Sequence, residues 1–227
     1  YEIRLKTALE EDLLCPFHYF GVKDVTVGGR MLEDLSDFRL LTAQERVSNI
    51  LDRAQFFGWS GPRVKGLVFC SRTQECEELS RLFNARGLKT VSLSGSDPQS
   101  VREEAIYRLS HGVGENRLDY IFTVDIFAEG VDIPEVNQVI MLRPTQSAIV
   151  FVQQLGRGLR KAPDKEFVVI LDFIGNYQSN FLIPVALSDD RSYNKDNMRR
   201  ALAVDLRQIP GASSVHFDPI VRKRIYE

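Results

Sequence analysis

Two observations predict that this 227-residue chain folds as an α/β domain, with a parallel sheet covered by helices on both faces. Short strands rich in β-branched residues, apolar on both sides, recur at 64–70, 89–93, 119–124, 138–142 and 167–173. Amphipathic segments at 73–86, 98–111 and 147–161 separate them at helical spacing. Strands apolar on both sides belong to sheets buried on both faces, and parallel neighbours need crossovers of about this length.

The first forty residues are the least regular and carry many carboxylates, among them Glu10, Glu11, Asp12, Asp24, Glu33, Asp34 and Asp37. Residues 5–14 read as a short helix, 17–25 as a strand, and Gly28-Gly29 as a turn. Thr42 and Glu45 have the spacing of a capping box, and Val47, Ile50, Leu51 and Ala54 then mark a helix ending near Gly58. After Gly61-Pro62 the alternation of strand and helix begins. Cys76, Leu79, Leu82 and Phe83 form the inner stripe of the first helix, which Gly87 stops. Val101, Ala105, Ile106 and Leu109 form that of the second. Past Asp172 the pattern dissolves through 174–188 and a polar break at 188–196. A predicted helix at 196–206 precedes an irregular tail containing Arg222-Lys223-Arg224.

Composition excludes several classes. With 44% hydrophobic and 26% charged residues the chain has a globular make-up, and its apolar runs are far too short to span a bilayer. A net charge of −2 excludes polybasic binding by the chain as a whole, though not a local basic face. Cys15, Cys70 and Cys76 match no disulfide or zinc spacing, and Cys70 and Cys76, in apolar or helical contexts, read as buried thiols, which predicts a reducing, cytoplasmic setting. His18, His111 and His216 are scattered, so no metal site is expected. The chain opens on Tyr1 and reads as part of a longer polypeptide.

The chemistry-bearing residues follow strands. No Gly-x-x-x-x-Gly-Lys-Ser/Thr loop is present, and Gly112-Val-Gly114 fails the dinucleotide pattern. Strand 64–70 leads into Ser71-Arg72-Thr73, and strand 89–93 into Ser94-Gly95-Ser96. Strand 119–124 leads into Glu129-Gly130-Val-Asp132-Ile-Pro134. Strand 138–142 leads through Arg143-Pro-Thr145 to Gln153-Gln-Leu-Gly156-Arg157-Gly158-Leu-Arg160. Following strand ends, the clusters are expected to converge on one edge of the sheet. Each has a bland reading as well. Ser71 suits a helix cap, Thr123 a strand, Gly130 to Pro134 a turn, and Arg157 with Arg160 a solvated cationic helix end. Arg157 and Arg160 share a helical face, and guanidinium forks suit phosphate oxygens. The charged residues between Val136 and Lys161 are all basic, and Gly156 and Gly158 leave room for another surface to approach.

Taken together, residues 66–73, 123–134 and 153–160 resemble motifs IV, V and VI of superfamily-two helicases and translocases. Gln153, Gly156, Arg157 and Arg160 match Gln-x-x-Gly-Arg-x-x-Arg in full. The run from Arg143 to Arg160 is most similar to the branch with restriction-enzyme motor subunits and excision-repair helicases. DEAD-box RNA helicases usually carry His at the Gln153 position. The resemblance spans about half the chain and implies the second, C-terminal RecA-like lobe of a two-lobe motor.

That resemblance implies roles. Arg157 and Arg160 would be arginine fingers reaching the γ-phosphate of ATP held, with magnesium, by a first lobe. Gln153, Gly156, Glu129, Gly130 and Asp132 would lie about the nucleotide. Ser71, Arg72, Ser94, Gly95 and Thr123 would face the nucleic-acid backbone, DNA by the branch resemblance, with RNA left open. Residues 1–60 would be an inter-lobe segment and lead-in helix, 61–180 the RecA-like domain and 181–227 a family-specific extension. Without a phosphate loop the chain alone is expected to be inactive. A non-catalytic module that docks nucleic acid or protein is the competing reading.

Overall fold

The structure is a computed structural model and describes residues 5–24, 26–27, 30–31, 42–124, 133–143, 159–174 and 213–217. Its elements are α1 (Leu5–Glu10), β1 (Phe17–Lys23), β2 (Thr26–Val27), β3 (Arg30–Met31) and α2 (Gln44–Phe57). Then come β4 (Gly66–Phe69), α3 (Thr73–Asn84), β5 (Thr90–Leu93), α4 (Gln99–His111) and a 3₁₀ turn, Gly114–Asn116. The remainder are β6 (Tyr120–Thr123), β7 (Gln138–Met141), β8 (Val168–Ile174) and β9 (Ser214–Phe217). Seven strands form one sheet in the order β5-β6-β4-β7-β8-β1-β9, every neighbouring pair parallel. β2 and β3 form a separate antiparallel pair about Gly28-Gly29, two residues outside the described set.

Alternation within each strand divides the core. Leu67, Phe69, Ile121, Val139, Met141, Val168 and Ile170 face one side, where Leu9 of α1 and Ala105 and Leu109 of α4 cover them. Val68, Phe122, Ile140, Val169 and Leu171 face the other, covered by Val47, Ile50 and Ala54 of α2 and Cys76, Leu79, Leu82 and Phe83 of α3. Helices therefore lie on both faces, as the two-sided strands require. Gly66 opens β4 without a side chain because a Cβ there would stand 2.1 Å from the Tyr120 ring on the neighbouring strand. No described helix is long and apolar enough to cross a membrane.

Several expectations are corrected. The sheet reaches past 61–180 on both sides. β1 lies between β8 and β9 with Phe17 and Tyr19 buried on one face and Val22 on the other. β9, from the part expected to be an irregular tail, takes the edge position. Phe17 donates its amide to Ser213 Oγ at 3.1 Å, and His18 Nδ1 lies 2.8 Å from Ser214 Oγ. Ala43, rather than Thr42, is the N-cap of α2. Val101, expected inside, is 44% exposed, since α4 buries only Ala105, Leu109 and Ser110. Residues 159–161 are a turn rather than the end of a helix at 147–161. The strongly polar break and the helix predicted at 196–206 lie outside the described residues. All three cysteines are buried and free.

Candidate functional site

Because the sheet is parallel, its carboxyl ends share one edge. Phe69 pairs with Thr123 and with Met141, and Leu93 pairs with Thr123. Two further bonds extend the ladder, Cys70 N–H to Thr123 O at 2.9 Å and Leu142 N–H to Phe69 O at 2.8 Å. Ser71 and Arg72, Ser94 and Gly95, and Arg143 follow at once and are brought to the same edge. The Arg143 guanidinium carbon lies 6.0 Å from the Phe69 ring centroid, within cation–π range.

A buried ionic cluster underlies this edge. Arg46, fully buried in α2, donates Nε to Asp24 Oδ2 at 2.9 Å and Nη1 to Glu75 Oε1 at 3.0 Å. Its Nη2 reaches the Leu142 carbonyl at 3.5 Å. The other oxygen of Glu75 accepts the Ser71 amide at 2.8 Å. One guanidinium thus joins the segments that follow β1, β4 and β7. Burial pushes the Glu75 carboxyl up from its ordinary value, against the opposing pull of Arg46 and the Ser71 amide. Ser71 is not the helix cap: Arg72 is the N-cap of α3, and the buried Ser71 Oγ has no hydrogen-bond partner. Sequence reasoning missed Arg46 and Glu75. The signal was there, since each lies four residues before an apolar stripe member, Ile50 and Leu79.

The next loop is self-bonded. Asp97 Oδ2 accepts from the Ser94 amide at 2.6 Å and lies 3.1 Å from Ser94 Oγ, which also lies 2.8 Å from Ser96 Oγ. Gly95 is exposed, with open space where a side chain would stand. Thr123 differs from expectation. It is fully buried, because β6 is flanked by β4 and β5 and covered on both faces, so its hydroxyl is not displayed to a nucleic-acid backbone.

Arg160 is exposed but not at this edge, which corrects the expected convergence of all the clusters. The Leu159 carbonyl accepts the Cys15 amide at 2.6 Å, and Cys15 precedes β1. A chain joining parallel strands must return to the amino edge, and by Leu159 it has done so. Leu159 is buried in the same core cluster as Leu9, Cys15 and Phe17. The described residues therefore separate into Arg72 and the Ser94-Gly95 loop at the carboxyl edge and the exposed residue Arg160, which follows Leu159 beside the amino end of β1. Glu129, Gly130, Asp132, Gln153, Gly156 and Arg157 lie outside the described residues. An exposed guanidinium suits a phosphate brought by another body. Among the described residues no group of three or more His, Cys, Asp or Glu could hold a metal ion.

On the face that carries Leu159, Asp172 of β8 accepts a 2.7 Å hydrogen bond from Tyr19 Oη. Burial pushes its carboxyl up to about 7, the Tyr19 bond acting against it.

The model of the helicase conserved C-terminal domain family matches residues 45–162, just over half of the chain. Over 109 residues the chain is 31% identical to the putative ATP-dependent helicase IRC3 of Saccharomyces cerevisiae, covering 48% of this chain and 15% of that protein. The solved structure of the ATP-dependent Type ISP restriction-modification enzyme LlaBIII bound to DNA superposes with a TM-score of 0.63 at 17% identity. That match covers 99% of this chain and 18% of the other. The yeast DEAD-box splicing factor Prp28 gives a TM-score of 0.57 at 15% identity, covering 93% of this chain and 37% of that one. The chain thus spans less than a fifth of IRC3 and of LlaBIII, and at these identities the structural likenesses speak for the fold. Motif order, parallel sheet and family match agree: the chain belongs to the helicase conserved C-terminal domain family and has the RecA-like fold of the C-terminal lobe of superfamily-two helicases.

Proposed function

We propose that this chain is the second motor lobe of an ATP-dependent nucleic-acid helicase or translocase, acting on DNA. The observation that carries the reading is the separation of two edges. Ser71 and Arg72 stand at the carboxyl end of β4 and Ser94 and Gly95 at that of β5, while the exposed residue Arg160 follows Leu159 beside the amino end of β1. Two partners, a nucleic acid and a nucleotide-bearing lobe, need two such surfaces.

In this reading Arg157 and Arg160 complete a triphosphate pocket whose phosphate loop belongs to a first lobe. Bound ATP with magnesium supplies the transferable phosphoryl group and the charge that draws the lobes together. The arginines stabilise charge spread over that group, an effect worth roughly 10³–10⁵ in rate in related phosphohydrolases. Gln153, Gly156, Glu129, Gly130 and Asp132 line the same pocket. Arg72 and the Ser94-Gly95 loop hold backbone phosphates without reading bases, so sequence preference is weak and salt dependence strong, and the buried Ser71 hydroxyl lies beneath them. Thr123 acts beneath that surface. DNA is favoured by the run from Arg143 to Arg160 and by the likeness to LlaBIII, which was solved bound to DNA.

A double dissociation in the full-length protein tests this. Arg160→Ala should lower ATP turnover by about 10³-fold and leave DNA affinity unchanged. Arg72→Ala should weaken DNA binding across sequences, reduce the salt slope by about one, and leave turnover at saturating DNA near wild type. Identical defects in the two variants would mean one site rather than two. Stimulation of turnover by RNA in place of DNA would reverse the substrate assignment alone.

A further inference from the structure

The residues on either side of Arg160 are both held by one short segment. The Leu159 carbonyl accepts the Cys15 amide at 2.6 Å, and Lys161 Nζ lies 2.5 Å from Asp12 Oδ2. Cys15 Sγ faces the Lys165 carbonyl at 3.9 Å, and the Lys165 ammonium donates to the Pro134 carbonyl. The contacts to Leu159, Lys161 and the Lys165 carbonyl come from residues 12–15, which lie outside the stretch that matches the family.

Asp12 closes α1. Its amide bonds to Leu9 O at 3.2 Å and that of Leu13 to Ala8 O at 2.9 Å, the paired bonds of a Schellman helix end. Asp12 occupies the left-handed position of that motif, with φ 57°. Glycine takes this conformation without penalty, and aspartate is among the few other residues that adopt it at modest cost, as Asp164 also does at φ 60°. At Asp12 the carboxylate holds Lys161. Asp12 is 83% and Lys161 49% exposed by side chain, so the pair adds little to stability. What it does is fix the backbone next to a guanidinium that must meet its target closely, where a misplacement of about 1 Å can cost 10²-fold in rate.

We infer that Asp12 is a positioning residue for Arg160: its carboxylate, with the Cys15 amide, brackets the arginine and sets where its guanidinium stands. The inference rests on the finger role proposed above. It also means that residues ahead of the conserved domain take part in the motor.

The test compares variants in the full-length protein by ATP kcat, KM and thermal midpoint. Asp12→Gly should lower kcat roughly tenfold, leave KM within twofold, and leave the midpoint unchanged or raised, since it removes the left-handed strain. Lys161→Ala should match it, the double variant should be no worse than either single one, and Asp12→Asn, which tolerates the conformation and can still accept from Lys161, should recover most of the rate. Wild-type kcat in Asp12→Gly beside a crippled Arg160→Ala overturns the positioning role and leaves the finger standing. A midpoint that falls with kcat in Asp12→Gly overturns it as well, in favour of a structural role. Wild-type kcat in Arg160→Ala would remove the finger and this inference together.

Discussion

Asp172 interrupts an otherwise apolar strand, and its carboxyl accepts from Tyr19 in a site closed to solvent. Raised to about 7, it binds its proton more tightly in the folded chain than in the unfolded one. Its stabilising contribution is therefore complete below the ordinary carboxyl range and lost as pH rises through about 7. Asp172→Asn should flatten this part of the stability profile. Relative to wild type the variant should gain on the order of 4 kcal/mol between pH 4 and pH 8, measured by urea unfolding across that range. Parallel profiles would show that the carboxyl is ionised throughout.

At the scale of elements, the Asp24–Arg46–Glu75 cluster is what aligns three strand ends beneath the carboxyl edge. Removing one partner of a buried ion pair leaves an uncompensated charge, at a cost of about 3–5 kcal/mol. Arg46→Met, which leaves two buried carboxylates facing one another, should lose about that much in chemical unfolding. A loss below about 1 kcal/mol would mean that the cluster holds nothing together. The central strands, α2, α3 and α4 were legible because burial imposes periodicity on most of their apolar residues, with exposed Phe56 and Val101 as exceptions. The cluster was not, since it breaks that rule by placing opposite charges on two apolar stripes that meet only in space. β9 was illegible for another reason: Ser214–Phe217 lies at the sheet edge, where only one neighbour constrains it. The hydroxyl of Thr123 misled because a strand end says where a residue sits along the strand and nothing about what covers it. The convergence of the clusters failed on topology. The segment between β7 and β8 begins at one edge and must finish at the other, so Arg160 arrives at the opposite edge from Ser71.

For the whole molecule, the separation of edges accounts for the pattern of residues that the chain has and lacks. It carries the exposed residue Arg160 near the amino end of β1 and Arg72 with the Ser94-Gly95 loop at the carboxyl edge, and its sequence holds no phosphate loop. The N-terminal segment supplies both an interior strand and the bracket around Arg160, which ties the proposed nucleotide face to residues ahead of the family domain. The central claim, that these arginines complete a pocket belonging to another lobe, is tested most directly by ATP hydrolysis with residues 1–227 alone. A preparation with a cooperative thermal transition should show no turnover above background, with or without DNA. Robust turnover by the same preparation, abolished by Arg160→Ala, would place the whole phosphate site within this chain and contradict the account.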